Sequence, residues 1–125
     1  MSDPQKVIDE SRPMLEEFLT DLGMYQPGQS LAEPALLFDF SCWIDAQNIR
    51  KEDFWYLVVR VASFISEHLI AGHGALRYIE GNRIMVRLPV DAARGVWRAF
   101  DPYETSIGLV REKRSLKGFL DDLCV

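Results

Sequence analysis

Histidine and cysteine are scarce in this chain, and their scarcity closes off several kinds of chemistry. Among 125 residues there are two of each. His68 and His73 lie five apart across an expected helix end at Gly72, not at the i, i+4 spacing that turns two imidazoles toward one metal ion. Glu67-His68 has neither the second histidine nor the interior glutamate of a zincin motif. Both histidines are expected as surface or capping residues, with His68 in the last turn of a helix where it complements the dipole. Cys42 and Cys124 are far apart and have no further cysteines to complete a zinc set. They are expected as reduced thiols, Cys42 within the interior. No metal and no cofactor is expected.

Other absences narrow the field further. The start, MSDPQKVIDE, has no basic stretch followed by an apolar one, so no secretory signal is expected. No apolar run long enough for a bilayer span is read, and the expected location is cytoplasmic. No serine or cysteine sits in a G-x-S-x-G elbow. The three glycines of GHGALRYIEGN follow a helix and enter a hairpin, whereas a phosphate loop joins a strand to a helix N-terminus. Nineteen acids offer many carboxylate pairs, yet no spacing singles one out. No catalytic residue is assigned, and the expectation is that the protein is not an enzyme. No internal repeat, low-complexity tract or domain boundary is visible.

What is present describes one ordinary globular domain over residues 1–125. Apolar residues make up 48% and charged ones 26%, enough for one core that folds without disulfide or metal staples. The net charge of −5 is unevenly spread. Residues 1–53 carry 11 acids against 4 bases, a balance of −7, while residues 54–125 carry 10 bases against 8 acids, or +2. Net acidity argues against general affinity for nucleic acid, where phosphate neutralisation supplies most of the binding.

Patterning suggests an α+β fold. Ser2 or Asp3 caps a first turn at Pro4, and Pro13 is expected to kink or restart the helix. From Arg12 onward Met14, Leu15, Phe18, Leu19 and Leu22 recur at helical spacing, with Glu16, Glu17 and Asp21 opposite and Gly23 as terminator. A proline- and glycine-bearing loop leads to residues 35–44, read as a helix opened by Pro34, although periodicity alone leaves a strand open. Residues 50–71, capped by Asn48 and ended by Gly72, form a long central helix. Trp55, Val59, Ala62 and Phe64 widen its apolar arc so far that cover on more than one side is expected. Residues 75–80 and 83–89 form a hairpin around Gly81-Asn82, pairing Ile79 with Ile84, Tyr78 with Met85 and Arg77 with Val86, and setting Glu80 beside Arg83. Asp91 is read as the cap of a short helix over 92–100, with Arg94 and Arg98 on its outer side, ended by Asp101-Pro102. Residues 104–112 are read as a third strand, and Ser115 caps a last helix that turns Leu116, Phe119, Leu120 and Leu123 inward. The whole is a small antiparallel sheet, built around the hairpin, against which the helices pack.

Two surfaces compete as binding sites. Glu16, Glu17, Asp21, Asp39 and Asp45 can form an acidic landing surface, with Tyr25 and Trp43 as aromatic anchors if exposed. Arg77, Tyr78, Arg83 and Arg87 are the alternative, an anion-binding ribbon of the kind that holds single-stranded nucleic acid or a nucleotide. The plain reading of both is a solvated scaffold, with arginine stems covering apolar surface. The leading expectation is a non-catalytic protein-binding module. By size and charge it is similar in kind to a small acidic inhibitor or bacterial immunity protein that occludes a basic toxin or nuclease. Nucleic-acid or nucleotide binding comes second, and a small enzyme last.

Overall fold

The helix α1 begins where the sequence places a cap: Asp3 accepts the amide of Gln5, and Pro4 occupies the first helical position. The computed structural model describes residues 3–124, so the alternative cap Ser2 lies outside the described residues. α1 runs unbroken over Pro4–Asp21, correcting the expected restart at Pro13. Val7, Ser11, Leu15 and Leu19 form one i, i+4 stripe through the proline, and all four are at least half-buried. Burying Leu15 and Leu19 contributes about 1.5–3 kcal/mol each, which outweighs the roughly 3 kcal/mol that an interior proline costs a helix.

Residues Pro34–Asp45 form α2, resolving the helix-or-strand ambiguity in favour of helix. Leu36, Leu37, Phe40 and Ile44 face inward. Cys42 points outward and is exposed, as is Cys124, so the expected burial of Cys42 is wrong: it lies off the inward-facing stripe. A 3-10 turn at Lys51–Asp53, not Asn48, leads into α3, Phe54–His73. From Val61 to Leu69 every residue of α3 is buried, which makes it the central element. The cover is not continuous, however. Trp55 is 61% exposed, and Tyr56 and Val59 also face water, so one side of the first two turns of α3 lies open while Leu57 and Val58 are buried on the other.

The stretch Lys51–His73 is long and apolar enough by composition to cross a membrane, contrary to the reading of the bare sequence. Most of it is buried inside the fold, as a core helix is. The helix passes Gly72 and is ended by Gly74 in the left-handed region. Gly72 serves close packing, since a Cβ there would lie 2.5 Å from that of Ala32 in the loop before α2.

The hairpin forms in the expected register, with β1 (Leu76–Glu80) pairing β2 (Arg83–Asp91) as Arg77 to Val86, Tyr78 to Met85 and Ile79 to Ile84. Ile84, Val86 and Leu88 turn toward the helices. Beyond β2 the expectations fail twice. Asp91 caps only a 3-10 turn, Ala92–Arg94, because Gly95 at φ 68° ends it. The chain then returns as β3, Val96–Phe100, completing an antiparallel sheet of order β1-β2-β3. Arg94 and Arg98 therefore do not share a helix face. Asp101-Pro102 starts a helix: Asp101 accepts the amides of Tyr103 and Glu104, and α4 runs over Pro102–Glu112 where a strand was expected. α4 packs along α3. Ser115 caps α5, Leu116–Leu123, as expected, with Leu116 and Leu120 buried. α5 docks on α2, where the Lys117 amide donates to Ser41 Oγ at 3.1 Å.

Candidate functional site

Phe18 of α1 stands at the junction of three helices, meeting Phe40 and Trp43 of α2 and Tyr56 of α3 edge-on. Beside it Glu17 and Asp21 flank Tyr56 in a shallow cleft of about 200 Å³. Asp39 lies one helical turn before Trp43 on α2 and is exposed. Among the described residues Glu17, Asp21, Asp39 and Asp45 make no ion pair, so their charge is available. Two of the expected contact residues are used internally instead. Tyr25 is only 3% exposed, and its hydroxyl lies 2.8 Å from Glu16 Oε2 and 3.1 Å from the Gln29 carbonyl. Burial and the Glu16 carboxylate push the phenol above its usual range. Glu16 also takes Arg12 at 3.2 Å, so it joins the loop to α1. Asp45 is drawn away from the others, into a second cleft shared with Lys113 and Arg114. The acidic face also holds a cation: Arg60 lies over the rings of Tyr56 and Phe18 at 4.6 and 5.4 Å, its Nε without a hydrogen-bond partner among the described residues.

The arginine ribbon is dispersed by the fold. Arg77 points inward and donates to Glu67 Oε1 at 2.7 Å, with both side chains nearly buried. Arg83 stands opposite Glu80 in register, but its hydrogen bonds go to Asp101 and Glu104. Arg87 alone keeps the expected character, its guanidinium 4.7 Å above Trp97 of β3. Tyr78, half-buried, alternates onto that same outer sheet face.

His68 is neither a surface nor a capping residue. Its ring stacks on Phe64 and places Nδ1 3.0 Å from the Leu31 carbonyl. A carbonyl only accepts, so Nδ1 carries the proton and donates it, pinning the loop to α3. Burial, reinforced by His73 nearby, holds the imidazole below its usual pKa despite that hydrogen bond. No carboxylate hydrogen-bonds the ring among the described residues, and Glu67 is taken by Arg77.

Neither protein-family models, curated proteins nor solved structures match this chain significantly.

The largest cleft was not foreseen. It measures about 770 Å³ and opens where the start of α3 meets the end of α4. Ile49, Phe54, Trp55 and Val110 supply its apolar surface. Arg50 and Lys51 come from one stretch of chain, Arg111 and Lys113 from another, and Glu52 is the single acid. Arg111 lies 5.6 Å from the Phe54 ring. The sequence carried one usable signal, the basic pair Arg50-Lys51 just before the aromatic pair Phe54-Trp55, but Arg50 and Lys51 fall in the acidic half of the chain and are masked by its sum.

Proposed function

We propose that this chain is a non-catalytic protein-binding module that presents the acidic, aromatic-studded face of α1 and α2 to a basic protein. One observation carries the reading: Glu17 and Asp21 are exposed and, among the described residues, unpaired beside the Phe18, Trp43 and Tyr56 cluster. Unpaired surface charge accelerates encounter with an oppositely charged partner, and aromatic side chains at its centre supply the buried contact that slows release. Asp39 extends the same surface, whereas Tyr25 and Glu16 support it from within. The mode of action is steric occlusion, as for an immunity-type protein that blocks a basic toxin or nuclease in the bacterial cytoplasm. Two exposed thiols without a disulfide fit that reducing compartment.

The competing reading, nucleic acid on the outer sheet face, keeps Arg87, Tyr78 and Trp97 but has Arg77 and Arg83 held by carboxylates. One experiment separates the two. Immobilised protein is exposed to cell lysate, the bound proteins are identified, and the triple variant E17K/D21K/D39K is run beside it. The expected result is a strongly basic protein held by the wild type and lost by the variant, with an association rate that falls as salt rises. Retention of the wild type on heparin or single-stranded RNA at physiological ionic strength, undiminished in the variant, would overturn the reading.

A further inference from the structure

The cation-rimmed cleft stands apart from the acidic face, and its charge inventory singles it out. Seven of the fourteen lysines and arginines form ion pairs: Lys6, Arg12, Arg77, Arg83, Arg94, Arg114 and Lys117. Of the seven that remain without one among the described residues, four, Arg50, Lys51, Arg111 and Lys113, ring this single cleft. Concentrating more than half of these unpaired cations at one place raises the local potential of a chain that is otherwise net acidic. Between them lies Trp55, the most exposed large apolar side chain of the fold. Exposed tryptophan beside free arginine is the composition of a binding centre.

We infer that this cleft binds an acidic peptide segment of a partner protein, one that places a bulky apolar side chain on Trp55 between carboxylates paired with the flanking cations. The apolar surface decides against a nucleotide. Phe54 and Trp55 meet edge to face, with ring planes 82° apart, so they offer no parallel pair between which a planar base would sandwich. Ile49 and Val110 give the rest of the surface an aliphatic character that suits a leucine or phenylalanine side chain. The cations come from two separate stretches of chain, an arrangement that suits carboxylates on both sides of an apolar residue rather than one compact phosphate. The guanidinium of Arg111 is positioned by the Phe54 ring and offers a planar fork to a carboxylate.

Lys113 adds a detail of backbone geometry. It is the one non-glycine residue among those described with positive φ, at 53°, where it ends α4. Glycine is the residue that relieves such a position. A lysine there gives up stability and supplies a charge at the cleft.

The test uses fluorescein-labelled peptides read by anisotropy: Asp-Glu-Phe-Glu-Asp, the same sequence with glycine at the centre, and Lys-Lys-Phe-Lys-Lys. The acidic phenylalanine peptide binds, the glycine peptide binds roughly tenfold more weakly, and the basic peptide does not bind. Trp55→Ala and Arg111→Glu each weaken binding about tenfold or more, and circular dichroism confirms that these exposed positions leave the fold intact. Lys113→Gly raises the urea midpoint while lowering the affinity, a pairing that a purely structural role for Lys113 does not produce. The proposal is overturned if no peptide binds, if the glycine peptide binds as tightly as the phenylalanine one, or if ADP or oligothymidylate binds more tightly than either. It is also overturned if sedimentation shows salt-sensitive self-association abolished by Arg111→Glu, for then the occupant is a second copy of this chain. Loss of the acidic-face partner in E17K/D21K/D39K leaves these outcomes unchanged, so the two surfaces are tested separately.

Discussion

The Glu67–Arg77 pair is the interaction whose removal most sharply tests how the hairpin is held to α3. Its charged atoms are 2.7 Å apart, and the side chains are 7% and 10% exposed. Replacing Arg77 with methionine retains much of the packing stem but strands a desolvated carboxylate in the interior. Breaking a buried pair from one side costs about 3–5 kcal/mol, a large share of the roughly 5–15 kcal/mol that holds a domain of this size together. At a urea slope near 2 kcal/mol/M, the denaturation midpoint should fall by about 2 M. The double variant Glu67→Met/Arg77→Met removes both charges together and is expected to return close to the wild type, or above it, because neither ion then has to be desolvated. Urea titrations followed by tryptophan fluorescence and by circular dichroism supply both numbers and check that unfolding remains two-state. If the single and double variants lose the same stability, the stranded carboxylate is not the source and the reasoning fails.

Because burial lowers the His68 pKa below its ordinary 6.5, the unfolded chain takes up that proton first as pH falls. Stability is therefore full above about pH 6.5 and declines below it, and His68→Asn, whose amide can donate to Leu31, should show a flatter stability profile between about pH 7 and 5.5; parallel profiles would exclude His68 as the cause. Gly72→Ala should destabilise by about 1–3 kcal/mol through the Ala32 contact, despite alanine's better helix propensity, and Ala32→Gly should restore most of the loss in a double-mutant cycle. Pro13→Ala should stabilise by about 1–3 kcal/mol, since it restores an amide to the middle of an unbroken helix; thermal melts showing no gain would mean that α1 already compensates for the proline.

The first two thirds of the fold were legible because local signals and burial agreed. Asp3-Pro4 and Pro34 mark real helix starts, the apolar pattern of α3 is unmistakable, and Gly81-Asn82 sets the hairpin register. The errors cluster after β2, where competing local signals had to be ranked. Asp91 is a true cap, but Gly95 follows four residues later and allows only one 3-10 turn before Val96, Trp97 and Phe100 form a strand. In residues 104–112 the branched side chains Thr105, Ile107 and Val110 outweighed a stronger cue. Asp101-Pro102 with Glu104 is the cap, the first-position proline and the first-turn acid of a helix start, and Pro102, Ser106, Leu109 and Val110 bury one helical face. That error also hid the main cleft. With α4 read as a strand beside the hairpin, nothing brought Arg111 and Lys113 to the open end of α3, and Trp55 was assigned cover that it does not have.

The positions of the two charged surfaces constrain how copies of this chain can meet. A two-fold dimer sets each patch against itself. Through the acidic face it would oppose Glu17, Asp21 and Asp39 with their own copies, and through the cleft it would oppose Arg50, Lys51, Arg111 and Lys113 with theirs. Like charges disfavour both arrangements. Attraction between copies is left to a contact of acidic face on cleft, which is head-to-tail and either closes into a ring or propagates as an open chain. Asp45 bears on that choice, because it already sits beside Lys113 and Arg114 in the cleft next to the large one. No ion pair joins them among the described residues, but a carboxylate lining the same cleft lowers the positive potential there and weakens the pull on a neighbour's acids. The same intramolecular screening leaves Arg50, Lys51 and Arg111 as the cations most available to a foreign acidic segment, and it predicts that Asp45→Asn strengthens binding at the cleft while leaving the acidic face around Phe18 unchanged.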